Sequence, residues 1–201
     1  MHEYTGPHDY FDENYVQEWE RIANSKRPFR IQFFDLFAAE LQQIAGGRLL
    51  ELGSGPGFLA EHILKRCPVA VYHLLDFSPH MIELNRARLA PFGERVCLYQ
   101  GSFLDEGWWR RLPGPFDAII SMQAVHEVRR AERIPQLYSE SRLLLKDGGA
   151  ILIADKMNDE TKSEAERFTA DKHLAAFSES GFKEIRQVYA AGDLVMFAAR
   201  N

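Results

Sequence analysis

Leu49-Leu50-Glu51-Leu52-Gly53-Ser54-Gly55-Pro56-Gly57-Phe58 is an apolar run that stops at an acid and then turns over three glycines. It reads as a strand end, a tight loop and a helix start. Glycines at this spacing let the backbone take positive φ values and let a ligand approach main chain with no Cβ in the way. The stretch predicts a small-molecule cradle at a strand-to-helix turn.

Outward from that loop, short β-rich runs alternate with helical patterns. Strands are expected at Arg48 to Gly53, Val69 to Phe77, Val96 to Phe103, Phe116 to Met122 and Ala150 to Asp155. Most are continuous apolar runs, as expected of parallel strands covered on both faces. Helices fit at Phe58 to Lys65, Pro79 to Leu89 and Glu132 to Lys146, with Ser78 and Pro79 as an N-cap and N1 pair and Gly148-Gly149 ending the third. A charged helical stretch from Thr161 to Ser180 precedes two runs, Phe182 to Tyr189 and Leu194 to Arg200. So short a connection makes that last pair antiparallel. Residues 10–45 hold two aromatic-rich helical patterns. The expectation is an α/β three-layer sandwich around a mainly parallel seven-stranded sheet with its last strand antiparallel. Residues 1–45 would be a helical lid and 46–201 the core of a single domain.

Twenty-four Lys and Arg against 29 Asp and Glu leave a net charge of −5, which offers no broad attraction for nucleic acid or an anionic membrane. Arg129, Arg130 and Arg133 are read as solvated helix surface. The two cysteines, Cys67 and Cys97, have no metal-type spacing and read as core. No run approaches the roughly 18 apolar residues of a membrane span, and the N-terminus lacks a signal-like apolar stretch. A cytoplasmic protein working on a small molecule is expected.

Two cofactor classes compete for the glycine loop. A dinucleotide wants GxGxxG, whereas Phe58 stands at the third glycine position and Glu51 precedes the loop. Glu51 to Gly57 resembles the first motif of the class I S-adenosylmethionine (SAM) dependent methyltransferases, an acid followed by xGxGxG. Leu75-Asp76-Phe77-Ser78-Pro79-His80-Met81 is similar to the family's acidic strand end and Ser-Pro-x-Met helix start. Gln100-Gly101-Ser102-Phe103, Phe116 to Ser121 and Leu143 to Gly149 match later segments in order. Ser102 departs from a common Asp, and Asp147 from a common Pro. The resemblance implies a Rossmann-like fold and SAM as cofactor, with S-adenosylhomocysteine as product. It implies cofactor contacts from Glu51, Gly53, Ser54, Gly55, Gly57, Asp76, Phe77, Met81, Gly101, Ser102, Phe103 and Ser121. Asp76 would take the ribose hydroxyls in a charge-assisted bidentate contact. Met81 serves a core helix face equally well, and Asp117 reads as structural.

Methyl transfer from a sulfonium needs positioning and water exclusion, and a base only where the acceptor must lose a proton. His126, where Ser121-Met122-Gln123-Ala124-Val125-His126-Glu127 leaves the fourth strand, is the candidate base, since an unperturbed imidazole titrates near neutrality. Tyr10, Tyr15, Trp19, Gln123, His126 and Asn158 are the acceptor candidates, and no metal site is expected. Asp155 to Asn158 follow the fifth strand toward the same region. Alternatives are a catalytically silent SAM-binding partner or sensor domain, and a nicotinamide oxidoreductase, which Phe58 and the lack of a Tyr-x-x-x-Lys pair disfavour.

Overall fold

The computed structural model describes residues 8–26, 28–44, 46–128, 131–157 and 169–201. Helices α1 (Glu13–Lys26) and α2 (Arg30–Leu41) lead into strand β1 (Arg48–Leu52) and helix α3 (Phe58–Arg66). Then follow β2 (Val71–Asp76), α4 (Pro79–Leu89), β3 (Val96–Gln100), β4 (Phe116–Met122), α5 (Ile134–Arg142), β5 (Leu145–Lys156), α6 (Ala170–Glu179), β6 (Lys183–Ala191) and β7 (Leu194–Arg200). The sheet order is β3-β2-β1-β4-β5-β7-β6, with β7 antiparallel to both neighbours. This is the expected mixed seven-stranded sheet. Strand order reverses between β1 and β4, which opens a crevice beyond their C-terminal ends.

The continuous apolar strands are covered on both sides. Leu49, Tyr72, Leu74, Ala118 and Ile120 face a cluster built with Phe33, Phe37 and Leu41 of α2 and Leu59 and Ile63 of α3. Leu50, Leu52, Ile119 and Ile151 face Ile134, Leu137 and Tyr138 of α5 and Phe177 of α6. Edge strand β3 is only half-buried, so Cys97 is less enclosed than expected, while Cys67 is buried.

Boundaries differ where pairing overrides local pattern. The helix expected over Glu132 to Lys146 ends at Arg142, because Leu145 pairs with Phe116 and the Phe116 amide donates to the Leu144 carbonyl at 2.7 Å. Gly148-Gly149 therefore lie inside β5 at a register shift rather than at a helix end. Only the second half of the Thr161 to Ser180 stretch lies within the described residues, capped by Thr169, whose hydroxyl accepts from the Lys172 amide. Ser78 caps α4 as expected, accepting from the Met81 amide at 3.1 Å.

Gly57 has φ +82 at the N-cap of α3, and a Cβ there would lie 2.3 Å from Asn85 Oδ1. Gly148 has φ +71 with nothing within 4 Å. Urea unfolding should show Gly148→Ala losing about 1 kcal/mol, from the left-handed backbone alone. Gly57→Ala should lose about 2–4 kcal/mol, because crowding adds to strain. Equal losses would contradict the close packing of α3 on α4.

Candidate active site

The loop between β1 and α3 is held by the end of β2. The amides of Gly53 and Ser54 both donate to the Leu75 carbonyl, at 2.8 and 3.2 Å, and the Gly55 amide donates to Asp76 Oδ2 at 2.8 Å. From below, Asn85 of α4 donates to Ser54 Oγ and to the Gly55 carbonyl. Arg88 donates to the Pro56 carbonyl at 2.8 Å and lies over the Phe58 ring. A Cβ on Gly53 would lie 2.3 Å from the Ala124 Cβ, so this glycine lets the loop pass beside the segment after β4. Gly55 has φ +54 and nothing within 4 Å of a built Cβ, so its requirement is the backbone conformation.

Above the loop lies a cavity of about 1150 Å³, more than a single drug-sized ligand occupies. Its wall includes Glu51, Gly53, Ser54, Gly55, Asp76, Phe77, Met81, Gly101, Ser102 and Phe103, together with Tyr10, Tyr15, Trp19, Gln123 and His126. Two expected cofactor residues are not on this wall. Ser121 is fully buried and donates to the Leu52 carbonyl at 2.8 Å, tying β4 to β1. Gly57 faces Asn85 instead. Asn158, like Arg129 and Arg130, lies outside the described residues. Arg133 lines the cavity rather than a solvated helix face, and so do His8, Lys26, Arg30, Arg111, Glu127 and Lys156. Lys156 and Glu127 follow strand ends already noted in the sequence, whereas His8, Lys26, Arg30 and Arg111 come from separate segments with no shared motif, so no local signal marked them.

Two carboxyls on the loop side are dry. Burial pushes Asp76 up to about 6 against the backbone amides of Ser78, Gly55 and Phe77. A carboxylate has about four acceptor positions, so three amides leave one for a ligand hydroxyl. Burial pushes Glu51 up to about 8, opposed by the Tyr72 hydroxyl, raised further by Asp76 and lowered by Arg30.

Past the end of β4, the His126 amide donates to Asp155 Oδ2 at 2.8 Å and its Nδ1 lies 2.6 Å from Asp155 Oδ1. A carboxylate only accepts, so Nδ1 carries the hydrogen and Nε2 is the basic nitrogen. Burial alone would raise Asp155, but His126, His173 and the Lys156 amide hold it below the usual carboxylate range. Asp155, expected toward the acceptor, is fully buried and off the cavity wall, behind His126, a partnership that the sequence did not show. Tyr15 and His8 form a further hydrogen-bonded pair on the wall, with the Tyr15 hydroxyl against His8 Nδ1. Among the described residues, no group of three or more His, Cys, Asp or Glu side chains converges as a metal would require.

Residues 49–149 match the family model described as a methyltransferase domain. The methyltransferase YdaC of Bacillus subtilis is 31% identical over 150 residues, which cover 70% of this chain and 74% of YdaC. This chain belongs to the class I SAM-dependent methyltransferases. The ribosomal RNA small subunit methyltransferase C of Cronobacter sakazakii is 30% identical over 93 residues, 46% of this methyltransferase and 26% of that protein. A solved O-methyltransferase family protein from Burkholderia thailandensis superposes with a TM-score of 0.74 at 18% identity, over 96% of this chain and 60% of that one. The chain thus spans about three quarters of YdaC and less than two thirds of the other two.

The cavity fits SAM on its own terms. Positive-φ glycines leave bare backbone beside two buried acids, and the remaining volume exceeds what a nucleoside-sized cofactor needs. Glu51 has an ordinary value of 4.5 and a folded value near 8, so the folded protein keeps a proton that the unfolded chain releases. That stability is complete below about pH 4.5 and is lost as pH rises through 8. Glu51→Gln cannot ionise. Without ligand it should melt with the parent near pH 4.5 and roughly 4 °C or more above it at pH 8. Melting curves that stay parallel from pH 4.5 to 8 would contradict the buried acid.

Proposed function

We propose that this methyltransferase transfers the methyl group of SAM to a hydroxyl or similar proton-bearing atom of a small organic acceptor, with His126 as general base. The observation that carries this reading is the Asp155-backed imidazole lining the same cavity as the glycine loop. SAM, when bound, supplies an electrophilic methyl group on a sulfonium.

The chain's own groups divide the remaining work. The Gly53 to Gly55 backbone receives the cofactor's sugar and amino-acid portion, Asp76 accepts from a ribose hydroxyl, and Phe77 and Met81 border the base. His126 Nε2 takes the acceptor's proton as the methyl group moves. Asp155 keeps the ring in one orientation and stabilises the imidazolium that forms, the role of the carboxylate in any acid-oriented histidine pair. Tyr10, Tyr15 and Trp19 give the acceptor aromatic faces with polar tips and exclude water.

The N-terminal segment acts as the lid of this site. Ser78 Oγ donates to the Tyr10 carbonyl at 2.6 Å, and the Tyr10 and Phe11 rings meet Phe77 edge-to-face at 5.8 and 5.6 Å. A net charge of −5 and an aromatic, walled cavity favour a small acceptor over a ribonucleic acid. Operation in the cytosol fits the same composition, and among the described residues no helix is long and apolar enough to cross a membrane.

Turnover over a panel of phenols, catechols and hydroxy acids tests the reading. His126→Asn should lower kcat by about 10²–10⁴-fold on any acceptor found. Calorimetry should show its affinity for S-adenosylhomocysteine unchanged within a factor of two. Undiminished kcat in His126→Asn would remove the base, and no turnover over the panel by a protein that binds SAM would favour the silent-domain alternative.

A further inference from the structure

Tyr72, the second residue of β2, has no exposed surface and lies on the sheet face that packs against α2 and α3. A phenylalanine would fill that apolar environment. The hydroxyl is instead spent on Glu51, donating to Oε2 at 2.8 Å. The register explains the contact, since Tyr72 pairs with Leu49 and Leu74 with Glu51, so that Tyr72 stands diagonally across from the acid on one face. A buried hydroxyl without a partner is costly, and one aimed at a cavity-lining carboxyl fixes that carboxyl's rotamer.

We propose that Tyr72 is a positioning residue of the cofactor site: its hydroxyl fixes Glu51, the acid that the family resemblance sets near the cofactor's amino group, and the pair gives up one proton to solvent when SAM binds. This rests on the cofactor orientation proposed above. The groups facing Glu51 are Tyr72 and Asp76 from β2 and Arg30 from α2, while β4 presents the apolar Ile120 and Met122 and α3 presents Leu59. Arg30 itself lies between the rings of Trp19 and Phe34, at 5.9 and 5.6 Å.

With its value near 8, Glu51 holds a proton at pH 7 in the free protein. An ammonium placed beside it favours the carboxylate. The acid O–H bond then breaks, the proton leaves to the buffer, and the electron pair stays on Glu51 facing the ammonium and the Tyr72 hydroxyl. Asp76, near 6, is mostly ionised already.

Calorimetry of the full chain at pH 7, in phosphate and in Tris, counts the protons released per ligand. Two probes separate the acids. S-adenosylhomocysteine carries the amino-acid group, whereas 5′-methylthioadenosine has the same adenosine and thioether without it. A proton linked to Asp76 and the ribose appears with both, and one linked to Glu51 only with the first. S-adenosylhomocysteine should release about one proton and methylthioadenosine only a small fraction. Tyr72→Phe should weaken S-adenosylhomocysteine about tenfold and leave methylthioadenosine within twofold. Glu51→Gln should bind while releasing no proton, and it decides the matter if Tyr72→Phe fails to fold. No release with S-adenosylhomocysteine, equal release with both probes, or equal weakening of both by Tyr72→Phe would overturn the proposal while leaving the cofactor orientation standing. Failure of S-adenosylhomocysteine to bind the parent protein would overturn both.

Discussion

The site depends on the hold that the end of β2 has on the glycine loop. Three consecutive loop amides, those of Gly53, Ser54 and Gly55, are directed at the Leu75 carbonyl and the Asp76 carboxylate. Chain that must turn this sharply and pair with a neighbouring strand's end has few allowed conformations. The positive φ values at Gly53, Gly55 and Gly57 are how it complies. That turn places bare backbone beside a buried acid at the point where strand order reverses. The cavity floor, the start of α3 and the seat of α4 through Asn85 and Arg88 all follow from it.

The two sides of the cavity then acquire different electrostatic characters. On the loop side Glu51 and Asp76 are dry and pushed upward, which suits partners that bring positive charge or hydroxyl donors. Past the end of β4 Asp155, equally buried, is held below its usual range by the His126 ring, by His173 and by the Lys156 amide. A carboxyl's surroundings thus set whether it keeps a proton or holds a base in place. The same residue type performs both tasks within one pocket.

Sheet content and the cofactor loop were legible because they rest on short-range rules. Glycine spacing, the Ser78-Pro79 cap and apolar runs of strand length each encode geometry within a few residues. Strand ends were less legible: β5 begins at Leu145 because Phe116 offers it a partner 29 residues away, which no local pattern reports. The acceptor side was least legible. The link between His126 and Asp155, and the meeting of His8, Arg30 and Arg111 in one cavity, arise from chain segments far apart in sequence. Ser121 and Gly57 show the converse, since a position inside a motif need not line the cavity. Ser121 is consumed by the Leu52 carbonyl and Gly57 by contact with Asn85.

The central claim is that one cavity brings a cofactor on the glycine loop and the His126 base into register. A crystal structure of the complex with S-adenosylhomocysteine measures this most directly. The ribose diol should lie within hydrogen-bond reach of Asp76. The thioether sulfur should lie within about 6–7 Å of His126 Nε2, the span of a transferring methyl group and a hydrogen-bonded acceptor atom. A ribose turned away from Asp76, or a sulfur facing a wall without His126, would contradict it.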